Sequence, residues 1–275
     1  MSVLDRGTAA DDRSRAADSK ERREASRVVR RISKPRLWQY DYLMLREIAD
    51  GLARQAAALN GKSGIDVLDV GCKYKPYQAL FAGRARRYVG VDRKRYWGVE
   101  VASDAKHLPF ADDSFDLVLC TQALYLMEDV RRVIAEFVRV TRRGGRILLT
   151  TIGVWPYPPA VRLHRWSRRE LEEVLGEFGE TRVEENGGYL RLVPQLANAA
   201  LAMGVEGYLV RRYGRAGQVA AAPLKGVYLG LNLLALSAER AVRGAARAGF
   251  GVARGLQDLD AHLAINYLAA VTPRK

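Results

Sequence analysis

This sequence predicts a doubly wound α/β sheet, on three observations. The run Ile65–Val70 is short, rich in strand formers and poor in charge, as a strand covered on both faces is. Further apolar runs at Tyr88–Val91, Phe115–Cys120 and Arg146–Thr151 alternate with helical segments, the pattern of parallel strands joined by crossovers. The first two runs give way to Asp69-Val70-Gly71-Cys72 and to Asp92. Ligands of open α/β sheets bind beyond such strand ends, and a glycine there lets the backbone approach them closely.

Taken in order, Met1–Lys34 is rich in Arg, Asp, Glu, Ser and Ala with few large apolar residues. Burial there offsets little ordering entropy, so residues 1–34 read as a basic arm, disordered or loosely helical. From Leu37 to Leu59 apolar residues fall at Leu37, Tyr40, Leu43, Met44, Ile48, Leu52, Ala56 and Leu59, one face of a helix. Asn60–Gly64 is a loop, and Ile65 opens the first strand. Tyr77–Arg84 reads as the first crossover helix and Arg93–Val101 as irregular. Val130–Val140 is a helix with Val133, Phe137 and Val140 on one side, ended by Gly144-Gly145. Ser167-Arg168-Arg169-Glu170 is a capping box that opens a helix running to about Phe178. Strands are expected at Thr181–Glu185 and Ile265–Val271.

Composition narrows the class. The formal net charge is +14, from 45 Lys and Arg against 31 Asp and Glu. It is carried mostly by arginine and spread along the chain, which fits a generally basic surface, an anionic lipid or phosphorylated substrate, or nucleic acid. Two cysteines, Cys72 and Cys120, suggest reduced thiols rather than a disulfide framework. Three separated histidines, His107, His164 and His262, form no metal motif, so no metal is expected. No signal peptide or membrane span is read, and a cytoplasmic bacterial protein is expected, with the inner membrane surface as an alternative address.

The order and spacing of Asp69…Asp92, Asp104-Ala105…Leu108-Pro109-Phe110, Phe115-Asp116 and Gly144-Gly145 resemble the class I S-adenosylmethionine (SAM) dependent methyltransferases. The closest resemblance is to the small-molecule type with an LPF…FD signature, over roughly Leu37–Glu184. It implies a Rossmann-like, seven-stranded, mostly parallel sheet and SAM as cofactor. In the family the last two strands are joined by a short turn, so Gly187–His262 reads as a helical insertion before the last strand. The domains expected are then 1–34, the SAM-binding unit 35–186, the insertion 187–262, and 263–275 returning to the sheet.

By the same resemblance Asp69, Gly71, Cys72 and Lys73 form the cofactor loop, and Asp92 with Arg93 meets the ribose. Asp104 and Ala105 meet adenine, and Thr121 with Gln122 faces the methionine end. The family loop reads D-x-G-x-G-x-G, and here Lys73 and Lys75 replace its second and third glycines. Lys73 either crowds the cofactor or pairs with its carboxylate. A nicotinamide fingerprint is disfavoured, because Lys73 and Pro76 occupy its glycine positions. Acceptor-side candidates are Tyr125, Trp155, Tyr157, His164 and Trp166, with His164 and Tyr157 the candidate catalytic groups.

The function expected is methyl transfer to a small-molecule, lipid-linked or glycan-type acceptor. A non-catalytic SAM-fold binding protein and an RNA methyltransferase are the alternatives. Nucleic acid is a disfavoured partner, since no RNA-binding module is legible. The insertion, rich in Leu, Ala, Gly and Arg, reads as a lid over the substrate, a membrane-facing surface or an oligomer interface. The oligomeric state and the acceptor atom are left open.

Overall fold

The computed structural model describes residues 4–59, 63–156, 164–248, 253 and 264–275, with side chains from residue 18 onward. Helix α1 (Leu4–Ser33) leads into α2 (Tyr42–Ala57). The sheet then begins with β1 (Ile65–Val70), β2 (Ala85–Asp92), β3 (Val101–Ala102) and β4 (Phe115–Thr121). Helix α3 (Val130–Val140), β5 (Thr141–Ile152), α4 (Arg168–Gly176) and β6 (Gly179–Asn186) follow. Helices α5 (Tyr189–Ala200), α6 (Gly207–Ala220) and α7 (Leu224–Arg247) precede β7 (Asn266–Pro273), and a π-helical stretch, Leu201–Glu206, joins α5 to α6.

The sheet is the expected seven-stranded one, in the order β3-β2-β1-β4-β5-β7-β6. All neighbours are parallel except β7, which runs antiparallel between β5 and β6. Every residue of β1 is buried, because helices cover both faces of the sheet centre. Its residues divide by period two. Leu68 and Val70 pack with Ile134, Phe137 and Val140 of α3, whereas Ile65 and Val67 pack with Ala56, Leu59 and Phe81.

Two local expectations change. Tyr77–Arg84 is not a crossover helix but a single 3-10 turn, Gln78–Leu80. β2 begins at Ala85, so only one turn fits between Pro76 and the strand, and Tyr77 and Phe81 anchor it as buried side chains. The arm expected to be disordered or loosely helical is α1, and its second half packs on the body. Glu21, Ala25, Val28 and Ile32 form its inward side, with Ala25 buried.

The helical insertion sits on the outside of α2. The Gln195 side chain donates to Tyr40 O (2.6 Å) and accepts from the Met44 N–H (3.2 Å). Asn232 donates to Leu37 O (2.6 Å) and Gln39 O (3.0 Å), and itself accepts from Asn198 (2.9 Å). Arg191 of α5 bridges Glu47 of α2 and Glu239 of α7, all three largely out of water. Among the described residues no single helix is long and apolar enough to cross a membrane.

Arg191→Met leaves Glu47 without its cation in a low-dielectric seam, and losing one partner of a buried pair costs about 3 kcal/mol. The exposed partner Arg243, also on Glu239, is expected to cost less than about 1 kcal/mol on truncation to Ala. Urea unfolding of the two variants measures both. Equal costs would mean that Arg191 is not the anchor of the insertion.

Candidate active site

The carboxyl ends of β1, β2, β4 and β5 open on one cleft of about 980 Å³, at the upper end of what a small-molecule pocket occupies. Its floor is a close crossing of two loops. Gly71 has φ 72°, and a Cβ there would lie 2.5 Å from the Ala123 Cβ. Any side chain at this position would push the loop after β1 off the loop after β4.

Gly71, Cys72, Lys73, Asp92, Arg93, Asp104, Ala105, Thr121 and Gln122 all line the cleft. The Asp92 carboxylate accepts from the backbone N–H of Lys73 (3.0 Å) and Lys94 (3.2 Å), which orients it and leaves lone pairs directed outward. Asp104 accepts from the Lys106 N–H (2.9 Å), closing a turn that presents Ala105. That turn is held from α3. Glu136 accepts from the Leu108 N–H (2.8 Å), and Arg139 donates to Leu108 O (2.9 Å) and Phe110 O (2.7 Å). Arg139 in turn holds the Glu136 carboxyl below the usual carboxylate range. The Leu108-Pro109-Phe110 stretch is therefore a clamp point for the Asp104 turn, and Glu136 and Arg139 are contributors that sequence reading did not single out.

Lys73 and Lys75 both take the left-handed backbone conformation that glycine would supply, with φ 47° and 52°. For a non-glycine residue that costs roughly 1–2 kcal/mol, and the two side chains find different compensation. The Lys73 ammonium lies over the rings of Tyr74 (5.6 Å) and Tyr96 (5.7 Å) at the cleft wall. Lys75 turns away from the cleft. It is 7% exposed and pairs with Glu100, 2.5 Å from Oε2. Its stem crosses Gly90, where a Cβ would lie 2.3 Å from the Lys75 Cε.

Asp69 does not line the cleft. It is buried beneath the loop, where Oδ2 accepts from the Tyr88 hydroxyl (2.7 Å) and Oδ1 has no partner among the described residues. Burial pushes its carboxyl up to about 7, against the opposing Tyr88 hydrogen bond and nearby Lys75.

The two sides of the cleft differ in character. Toward β2 and β3 it is polar, with Asp92, Arg93, Lys94, Ser103, Asp104 and Lys106. Toward β4 and β5 it is mostly apolar, with Ala123, Tyr125, Leu126, Met127, Ile152 and Trp155 beside Thr121, Gln122 and Glu128. Met44 and Leu45 of α2 and Val28 and Ile32 of α1 add apolar wall. The lid is thus shared by the two leading helices. Among the described residues, none of the insertion reaches the cleft.

Tyr125 and Trp155 line the cleft, as an acceptor-side reading expects, and burial pushes the Tyr125 hydroxyl up. His164 and Trp166 do not line it. The His164 ring stacks on Trp166 (centroids 3.9 Å) and its Nε2 meets Glu170 Oε1 (2.8 Å), while its backbone N–H donates to Tyr125 O (2.9 Å). Its side chain is therefore spent on α4. Ser167 caps that helix as expected, accepting from the Glu170 N–H (3.2 Å). Tyr157 lies outside the described residues.

Comparison with known proteins fits this geometry. Residues 68–149 match the family described as a methyltransferase domain. Over that stretch the chain is similar to the class I, SAM-dependent methyltransferases. A demethylmenaquinone methyltransferase of Thermobifida fusca is 34% identical over 42% of this chain and 56% of its own length. A phthiotriol/phenolphthiotriol dimycocerosates methyltransferase of Mycobacterium tuberculosis is 33% identical over 46% of this chain and 51% of its own. The chain spans about half the length of these curated relatives. The crystal structure of the [4+2]-cyclase SpnF shares the fold, with 21% identity, a TM-score of 0.50 and 82% of each chain covered.

SAM is the cofactor that this similarity implies, and the residues lining the cleft fit it. The carboxylates of Asp92 and Asp104 can accept from a ribose diol and an exocyclic amine. The Gly71–Ala123 crossing leaves backbone, not side chain, beneath the ligand.

Because the Asp69 carboxyl is raised when folded and sits near 4 when unfolded, the folded state binds the extra proton between the two values. Stability should fall as pH rises from about 4 to about 7 and then level off. Asp69→Asn keeps an acceptor for Tyr88 and removes the titration. The variant and the parent should differ least below pH 4, and the variant should gain on the parent as pH rises from about 4 to about 7 and melt higher at pH 8. A difference in melting temperature that does not change with pH would remove Asp69 as the titrating group.

Proposed function

We propose that the protein is a SAM-dependent methyltransferase whose acceptor is an apolar small molecule or lipid-linked molecule. The observation that carries this is the asymmetry of the cleft. Its polar side suits the nucleoside of the cofactor, with Asp92 on the ribose hydroxyls and Asp104 and Ala105 at the adenine edge. Its more apolar side, with Leu126, Met127, Ile152 and Trp155 and with Ile32, Met44 and Leu45, suits an acceptor of low polarity, Glu128 being the carboxylate among them. The relatives' names, which include a demethylmenaquinone and a phthiotriol dimycocerosates methyltransferase, support the same class of acceptor.

Bound SAM supplies an activated methyl group on a sulfonium. The work of the chain is to bind, orient and exclude water. The Gly71–Ala123 crossing and the left-handed Gln122, whose N–H donates to Thr150 O (2.8 Å), shape the middle of the cleft where the two ligands meet. Val28 and Ile32 of α1 and Met44 of α2 close it from above with apolar side chains, which exclude water without offering competing nucleophiles.

Calorimetry with SAM and with S-adenosylhomocysteine tests the cofactor half. Asp92→Ala removes a charged acceptor for two hydroxyls, each hydrogen bond worth roughly 1.5–3 kcal/mol, so affinity should drop at least tenfold. Unchanged affinity would take Asp92 out of the site. Transfer of labelled methyl from SAM to an organic-solvent extract, rather than to an aqueous metabolite pool, tests the acceptor half. Label found only in the aqueous pool would overturn the apolar acceptor.

A further inference from the structure

The helices of the insertion bury one side and leave the other bare. Gln195, Asn198 and Asn232 are buried against the body, whereas Val193 and Leu234 on the far side are 63% and 62% exposed. Along α7 the exposed positions Val227, Gly230, Leu233, Leu234 and Ser237 follow the three-and-four spacing of one helix face, and none is charged. On the preceding helices Tyr189, Val193, Val205 and Tyr208 are likewise exposed. These exposed apolar side chains are more than a solvated excursion of this length ordinarily carries.

The charge around this face is of one sign. No Asp or Glu occurs between Glu206 and Glu239, while Arg211, Arg212, Arg215 and Lys225 do, and all four are exposed. None of the four has a carboxylate partner among the described residues. Arg211, Arg212 and Arg215 flank the break of α6 at Gly214 (φ 56°) and Lys225 opens α7, with Tyr213 (55% exposed) and Val219 (75% exposed) on the same stretch.

We infer that this face docks on the surface of an anionic lipid bilayer. Apolar side chains bordered by unpaired cations, with acidic residues absent from the whole segment, match the headgroup–acyl boundary of such a bilayer. The helices lie on the bilayer rather than cross it. Tyr189–Ala221 and Leu224–Arg247 together reach the length and composition of a span, but they are bent by 62° against each other. Their inner side holds Arg191 and the amide contacts to α2, which hydrocarbon would not tolerate. A second copy of this chain is the poorer occupant, because a two-fold pairing would set one cluster of cations against another. The docked face is one helix layer from the cleft, since Gln195 bonds the backbone of Met44 and the Met44 side chain lines the apolar wall. The inference goes beyond the methyl-transfer reading and stands apart from it, as vesicle binding is measured without cofactor or acceptor.

Flotation of the full chain with phosphatidylcholine vesicles, with and without phosphatidylglycerol, tests it. The protein should float with the anionic vesicles at low salt and stay behind with phosphatidylcholine alone. The double variant Val193→Asp/Leu234→Asp removes two apolar side chains from the contact, and the triple variant Arg211→Gln/Arg212→Gln/Arg215→Gln removes three cations. Each should cut partitioning at least roughly tenfold. All these positions are exposed and outside the cleft, so melting temperature and SAM affinity should match the parent and report that the variants are folded. Absence of flotation at low salt would overturn the inference, as would equal flotation of the parent and the double variant. Self-association in sedimentation velocity that Leu234→Asp abolishes, with no vesicle binding, would assign the face to a second copy instead.

Discussion

The ion pair between Lys75 and Glu100 is the constraint on which the cofactor end depends. A buried ammonium needs a carboxylate, and the Lys75 side chain passes over Gly90 to reach Glu100. Gly90 donates its own N–H to the same carboxylate (2.6 Å), so strand β2, the loop and the β2–β3 connection meet at one group. The bulk that the loop gains by carrying lysine in place of glycine is thus accommodated one layer down, by a glycine in the strand. Glu100 is about half exposed, so the pair acts through geometry more than through a large net energy.

This arrangement also explains why the two lysines behave differently although both occupy glycine-type backbone. Lys73 faces outward and is held by two aromatic rings, so its cost is confined to backbone strain. Lys75 faces inward, where it shares a pocket with Asp69, Tyr88 and Cys72. Burial pushes the Cys72 thiol and the Tyr88 hydroxyl up, leaving both protonated near neutral pH. The low-dielectric floor therefore holds the Lys75–Glu100 pair and, nearby, the Asp69 carboxyl pushed up to about 7.

The sheet was legible because its central strands are buried on both faces and read as apolar runs. Asp92 follows as the polar end of β2, whereas Asp104 was legible only through the family resemblance. Asp69 does not follow in this way, since a carboxylate one pleat earlier points down rather than out, and alternation along β1 would have placed it there. The crossover after β1 was misread because helix-forming residues occupy Tyr77–Arg84, whereas chain length allows a single turn. α1 was hidden by composition, although Ala25, Val28, Val29 and Ile32 carry helical spacing within a charged stretch. Glu136 and Arg139 gave no signal, because on a surface helix a Glu–Arg pair three apart looks like solvated charge. The insertion is held behind α2 by Arg191 and three amide side chains, which in sequence look like any solvated polar residue.

Those amides have a consequence of their own. Gln195, Asn198 and Asn232 sit in the same seam as Arg191 and bond particular partners: the backbone at Leu37, Gln39, Tyr40 and Met44, and Asn198 to Asn232. A shift of α5 or α7 by a single turn would bring aliphatic carbons to those partners and leave buried polar groups unmatched. Oil-like contacts alone would let two helices slide along a third with little penalty. Here the seam is indexed, so the insertion can be either seated or detached, with no intermediate register to rest in.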